Sequence, residues 1–351
     1  MDEMELANSD EMASSRSESV TLVDVARVAG VAPMTVSRAL HRPELVRSET
    51  HKKVLDAVKK TGYVPNMLAA GLTSSKSRLV AILLPTIANS IFSDTVQSLM
   101  DRLTASGYQS LLGLTGYSIE QEEALVSALL GRRPDAIVLA GSTHSEVTIQ
   151  RLARANIPIV EIWDLPDLPL DMVVGFSHEQ VGIAVARHLV QKRYRKFGII
   201  CLDDVRGLRR CRSVAAELAT LGFHDVPFEI VHVPATLAGG REGLRRLLSQ
   251  HTLDVVVCSS DTVAQGVLAE AASRGTHVPR DVAVMGFGDL NTAAQVFPAL
   301  STVRIDGEKI GKATAEEILK RLSTAIKGNT GKHLTPARID VGFQIIERDS
   351  A

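Results

Sequence analysis

Between residues 79 and 288 the chain repeats one pattern, a short apolar run followed by a longer amphipathic segment. The runs are LVAILLP (79–85), QSLLGLT (109–115), DAIVLAG (135–141), IPIVEIW (157–163), FGIICLD (197–203), FEIVHV (228–233), DVVVCSS (254–260) and VAVMGFG (282–288). Segments such as FSDTVQSLMDRLTASG and EQVGIAVARHLVQKR alternate with them and carry helical periodicity. Runs this short and this apolar read as strands of parallel sheets covered by helices on both faces. The pattern predicts an α/β body over residues 79–351, built as two doubly wound parallel-sheet lobes. The lobes are expected to divide near residue 175, with the chain crossing back near 300–338. Such sheets bind ligands outside the carboxyl ends of their strands, so the residues just after each run carry the candidate site.

The first 78 residues follow a different rule. A chain of 351 residues exceeds one ordinary core, and the net charge of −1 conceals a split. Residues 1–19 hold six acids against Arg16 and are Ser-rich, which reads as a disordered acidic tail. Residues 20–78 hold ten lysines and arginines against four acids, the footprint of a surface that meets a polyanion.

Within that basic segment, TLVDVARVAGVAPMTVSRAL (21–40) predicts two short helices. Thr21 caps the first, with Asp24 in its opening turn. Leu22, Val25, Ala26 and Ala29 share a face, and Gly30 suits a left-handed stop. Pro33 fits the first turn of a second helix that turns Val36 and Ala39 inward. A third helix, SETHKKVLDAVKKTGY, starts at Ser48 and is expected to bury Val54, Leu55 and Val58. This is helix-turn-helix spacing, in which the second helix enters the major groove of DNA. Contacts to DNA are expected from Thr21, Pro33, Met34, Thr35, Ser37 and Arg38. A plain helical hairpin needs neither the basic charge nor that outward polar set.

VDVARVAGVAPMTVSRAL followed by GYVPNMLAAGLTSSKS resembles the lactose-repressor (LacI/GalR) family of bacterial transcription regulators, and the resemblance runs from about residue 20 to the C-terminus. It implies an all-α helix-turn-helix head joined to a bilobed, periplasmic-binding-protein-like body whose cleft holds an effector. It further implies a hinge helix that folds on the operator, with Asn66 near its start and Leu72 as the residue wedged into the minor groove. Ala69-Ala70 stands where the family usually has Ala-Arg. The partners so implied are a pseudo-palindromic double-stranded operator, a small-molecule effector and a second copy of the chain.

The strand ends supply the effector candidates. Asn89 and Phe92 follow the first run, Tyr117 the second, His144 the third and Trp163 the fourth. In the second lobe Arg209 and Arg210 follow FGIICLD, and Asp261 follows DVVVCSS. Each has a plainer alternative: Asp261 suits a helix cap, His144 a surface loop, Trp163 simple packing. Arg206, Arg209, Arg210 and Arg212 cannot all face one ligand. Arginine offers a fork for a carboxylate and aspartate accepts from sugar hydroxyls, so a sugar acid fits the set. The VxxMTVSR, FSDTV, TGY, STH and VVGF segments resemble gluconate-responsive members of the family, which implies gluconate or a relative; a neutral sugar or a corepressor is the alternative.

Other function classes fit less well. A sugar-binding uptake receptor would not carry the basic head, and no secretory signal is evident at the N-terminus. No apolar run reaches the ~18–20 residues of a membrane span. An enzyme is not expected, because no P-loop, nucleophile elbow or HExxH occurs, and adjacent Asp203 and Asp204 rarely straddle one glycosidic bond. The three cysteines lack metal-ligand spacing, so no metal or cofactor is expected. A cytoplasmic homodimer is the expectation, since no leucine heptads follow residue 340.

Overall fold

The structure, a computed structural model, describes residues 20–64, 77–88, 90–326 and 337–351. The acidic segment 1–19, Asn66, Leu72 and Asn89 lie outside the described residues. The chain forms two compact units, Met1–Ser77 and Arg78–Ala351.

The first unit packs three helices, α1 (Leu22–Ala29), α2 (Pro33–His41) and α3 (Ser48–Thr61). Thr21 and Asp24 form the expected capping box: Thr21 N–H donates to Asp24 at 3.0 Å, and Asp24 N–H to the Thr21 hydroxyl at 3.4 Å. Gly30 ends α1 at φ +66°, where a side chain would be strained, and Pro33 opens α2. Val25, Ala26, Val36, Ala39, Val54 and Ala57 make the miniature core. The inward set of α3 differs at one position. Leu55 is 39% exposed and Ala57 takes its place, because a helix that buries Val54 brings residues three and four further on, Ala57 and Val58, to the same face.

The second unit is the expected α/β body. Lobe 1 holds the parallel strands β1 (Leu79–Leu84), β2 (Gln109–Leu114), β3 (Ala136–Ala140), β4 (Ile159–Ile162) and β5 (Met172–Gly175). Helices α4 (Ser93–Ala105), α5 (Ile119–Leu130) and α6 (Glu146–Ala155) connect them. The chain then passes through α7 (His178–Gln191) into lobe 2. There β6 (Phe197–Leu202), β7 (Phe228–Val231), β8 (Val255–Cys258) and β9 (Ala283–Met285) form a second parallel sheet, ordered β7-β6-β8-β9. Its helices are α8 (Val205–Thr220), α9 (Leu237–Gln250) and α10 (Asp261–Ser273).

Two more crossings tie the lobes together. After β10 (Thr302–Arg304), α11 (Gly307–Ile326) returns to pack on α4, and β11 (Arg338–Asp340) pairs in parallel with β5, so the lobe 1 order is β11-β5-β4-β3-β1-β2. The chain then comes back as β12 (Gln344–Ile346), antiparallel to β10. The Ser350 hydroxyl, donating to Val284 O at 2.6 Å, pins the C-terminus to lobe 2. Strands β1, β3, β4, β6 and β8 are buried almost throughout, as parallel strands between two helical layers must be. One apolar cluster continues from lobe 1 through Trp163 and Phe176 to Phe287 of lobe 2. No described helix is long and apolar enough to cross a membrane.

Candidate functional site

On the first unit, the residues expected to touch DNA cluster at one end of α2. Pro33, Met34 and Arg38 are exposed, Met34 at 63%, while Thr35 and Ser37 are half-buried between them. Their buried counterparts Val36 and Ala39 hold the helix against α1 and α3, so the outward set is fixed by the inward one. Thr21 is exposed at the N-terminus of α1, where its N–H and hydroxyl both donate to the Asp24 carboxylate, at 3.0 and 2.7 Å.

On the second unit, the carboxyl ends of the two sheets face each other across a cleft with two chambers. The outer one, of about 330 Å³, lies between Thr115, Tyr117, Ser142 and Thr143 of lobe 1 and Asp203, Asp204 and Arg206 of lobe 2. The inner one, of about 50 Å³, is enclosed by Phe92, Trp163, His178, Arg210, Ser260 and Phe287, and shares Tyr117, Asp204 and Arg206 with the outer. The outer chamber alone reaches the size range of small-molecule sites, ~300–1,000 Å³. Tyr117 and Trp163 both have positive φ, +63° and +62°. Such backbone strain in bulky residues gathers at ligand sites. Burial pushes the Tyr117 phenol up to about 12, so it stays a neutral donor and acceptor.

The aromatic floor links the lobes. Trp163 stacks edge-on against Phe92 at 5.2 Å and Phe176 at 5.9 Å, while its Nε1 donates to Thr95 Oγ1 at 3.0 Å. Arg206 reaches over the Phe92 ring at 5.5 Å from its centroid, a contact of lobe 2 with lobe 1.

Arg210 is the unusual group. It is 7% exposed and lies 3.5 Å over the Phe287 ring. Nη1 donates to His178 Nδ1 at 2.8 Å and Nη2 to Ser259 O at 2.7 Å, whereas Nε has no partner. No carboxylate among the described residues forms an ion pair with it. Burial, and then the Arg210 charge, hold the His178 imidazole well below its ordinary pKa. Since Arg210 can only donate, neutral His178 accepts at Nδ1 and donates from Nε2 to Trp163 O at 3.1 Å. Gly182 permits this approach: a Cβ there would stand 2.5 Å from Arg210 O.

Of the sequence candidates, Phe92, Tyr117, Trp163 and Arg210 come together around the cleft. His144, Arg209 and Asp261 line neither chamber. His144 is no surface histidine: its side chain is 2% exposed, and Nδ1 donates to Glu122 Oε1 at 2.7 Å. Arg209 pairs with Asp164 and, through Nε at 3.4 Å, with Glu179. Asp261 is fully buried, accepting from the Thr302 hydroxyl at 2.6 Å and Leu290 N–H at 2.7 Å, and Ser260 rather than Asp261 caps α10. Sequence reasoning passed over His178, Asp204 and Ser260 as ligand candidates. The rule that ligands sit just after strands points to Asp204 and Ser260; His178 also follows a strand, β5, but that four-residue strand is not among the runs read from the sequence.

Comparison with known proteins bears on both units. Residues 21–66 match the family of bacterial regulatory proteins, lacI family, and residues 186–351 match a periplasmic binding protein-like domain. The HTH-type transcriptional regulator GntR of Pseudomonas aeruginosa is 35% identical over 333 residues, spanning 94% of this chain and 95% of that one. The chain belongs to the LacI family of bacterial transcriptional regulators. A solved LacI-family regulator from Silicibacter pomeroyi matches with a TM-score of 0.86 at 31% identity, over 94% of this chain and 99% of its own. The transcription regulator GntR from Chromobacterium violaceum gives 0.72 at 32%, over 78% and 98%. LacI-family regulators bind operator DNA and small-molecule effectors, usually as dimers. This LacI-family chain is accordingly a DNA-binding transcriptional regulator.

Proposed function

We propose that the protein is a cytoplasmic repressor of carbohydrate catabolism, and that a small sugar acid such as gluconate controls its affinity for a pseudo-palindromic operator. The observation that carries this reading is Arg210, a buried guanidinium without a carboxylate, facing the cleft. A buried cation left without a counterion is costly, and a ligand carboxylate removes that cost. Arg206, one helical turn earlier, adds a second cation at the same end. The outer chamber offers Ser118, Glu122, Thr143, Asp203 and Asp204, a set that accepts from hydroxyls. The acid head of the ligand therefore points inward and its polyol tail outward.

The head reads DNA with Arg38 and its neighbours on α2, and the homodimer matches two half-sites. An effector shifts operator affinity only if it binds one arrangement of the lobes better than the other. Phe92, Tyr117 and Trp163 on lobe 1 and Arg206 and Arg210 on lobe 2 give a bridging ligand that preference.

The test is a thermal-shift titration with potassium gluconate against glucose, followed by an operator gel shift with each. Gluconate is expected to stabilise the protein and to change the shift, with glucose inactive. A response to glucose and none to gluconate would move the reading to a neutral-sugar effector.

A further inference from the structure

Asp164 follows β4 on lobe 1, and Arg209 sits on α8 of lobe 2. One guanidinium nitrogen, Nη1, stands 2.9 and 3.0 Å from the two carboxylate oxygens. The acid is prepared on its own lobe: the Ser142 hydroxyl donates to Oδ2 at 2.6 Å and Leu165 N–H to Oδ1 at 2.9 Å. Its side chain is 2% exposed, and the one cation in ion-pair contact with it among the described residues comes from the other lobe. Close by, Gly175, the last residue of β5 before the first crossing, packs so tightly on the Asp164 backbone that a Cβ would meet its carbonyl at 2.1 Å. The Trp163–Asp164 turn is thus held fast on lobe 1. Rotation of lobe 2 about the crossings must move Arg209 relative to it.

We infer that the Asp164–Arg209 pair is an interlobe latch, which favours the closed cleft without touching the effector and so sets how readily an effector holds it shut. The inference rests on the cleft being the effector site, although the latch itself needs no ligand. An exposed ion pair would contribute little. Here the acid is buried with its other bonds already made, so losing the arginine leaves a charge without a counterion. A lower closed population then lowers apparent effector affinity by the same factor.

Trp163 is the single tryptophan of the chain and is 3% exposed beside Asp164. Acrylamide quenching of its fluorescence therefore reads this joint in the ligand-free, full-length protein. Asp164→Asn and Arg209→Gln are each expected to raise the quenching constant and the radius of gyration seen by small-angle scattering. Arg209 Nε also stands 3.4 Å from Glu179 at the start of α7, so the double variant should go no further than Arg209→Gln, as a coupled pair requires. Arg187→Gln, which breaks an exposed pair between α7 and α8, serves as the control and should change neither reading. If a single variant melts well below the parent, Arg209→Lys decides: it keeps the charge and should retain most of the shielding. Unchanged quenching and scattering in both single variants, or additive effects in the double one, would overturn the latch. A potassium gluconate titration of the same proteins should show weaker binding in both single variants, by up to about tenfold, and unchanged affinity in both would count against the latch. If the parent ignores gluconate, the sugar-acid reading fails while the quenching result still decides the latch.

Discussion

His144 Nδ1 donates to Glu122 Oε1 at 2.7 Å, and the opposite side of the same ring faces Glu161 at 3.5 Å. A loop, a helix and a strand of lobe 1 meet at this ring. Glu161 also accepts from Leu170 N–H at 2.8 Å, so the acid is fixed before the imidazole arrives. The tie holds the loop after β3 in place, and that loop supplies Gly141, Ser142 and Thr143 to the outer chamber.

Burial alone would lower the His144 pKa, but the two carboxylates outweigh it and lift the imidazole to about 9. A histidine with a raised folded-state pKa stabilises the fold fully below its unfolded value, near 6.5. That contribution is lost as pH rises through about 9. Urea unfolding should therefore show a loss on the order of 2–3 kcal/mol between pH 6 and pH 10 that His144→Gln does not share. Parallel pH profiles for parent and variant would remove the ionic role.

The sequence made most apolar strands legible and left the short, partly polar ones hidden. β1 and β6 span six residues each, bounded by turn residues, and their burial follows from composition. β10, β11 and β12 have three residues each, too few to show a period, and they exist because the crossings pair them. The arginines of α8 illustrate the limit at the site. Four of them within seven residues cannot be sorted without the phase of the helix. The Asp204 cap sets that phase, which turns Arg206 and Arg210 to the cleft while Arg209, about 100° away from Arg210, meets Asp164. Asp261 was legible as an acid at a strand end, but its inward turn toward Thr302 depends on β10, which no local pattern announces.

Arg38 should read a base edge. It is exposed on α2, beside the half-buried Ser37, and no ion pair among the described residues holds it. A bidentate contact to guanine discriminates by about 1–3 kcal/mol, so Arg38→Ala should relax the preference at one position of each half-site. Selection from a randomised operator pool checks this. Equal weakening on every sequence would make Arg38 a phosphate contact.

Asp261 should act on lobe 2 from inside. Burial holds its carboxyl up at about 6, and its oxygens serve Thr302 and Leu290. Asp261→Ala strands both donors and should cost about 1–3 kcal/mol of stability. Gluconate affinity, measured by calorimetry where the variant is folded, should stay within about threefold of the parent, under 1 kcal/mol. A loss of tenfold or more would return Asp261 to the ligand shell.

Arg210 makes the sharpest demand, because stability and binding should move in opposite directions. In the free protein its guanidinium is buried with Nε unpartnered, and burial lowers its pKa, the mark of a charge in an unfavourable place. Arg210→Met keeps much of the length and the contact with Phe287 while removing that charge. Its cost is the loss of two donated bonds, to His178 and to Ser259 O. Exchanging a poorly compensated buried charge for a packed apolar chain is often neutral or stabilising. The ligand-free variant is therefore expected to melt at or above the parent temperature. Its gluconate affinity should fall, because a charge-assisted bond contributes about 1.5–3 kcal/mol, or roughly 10- to 150-fold. Thermal denaturation with and without potassium gluconate measures both effects in one experiment. A variant that melts far lower yet still gains the full stabilisation from gluconate would show that Arg210 holds lobe 2 together and leaves the carboxylate to another group.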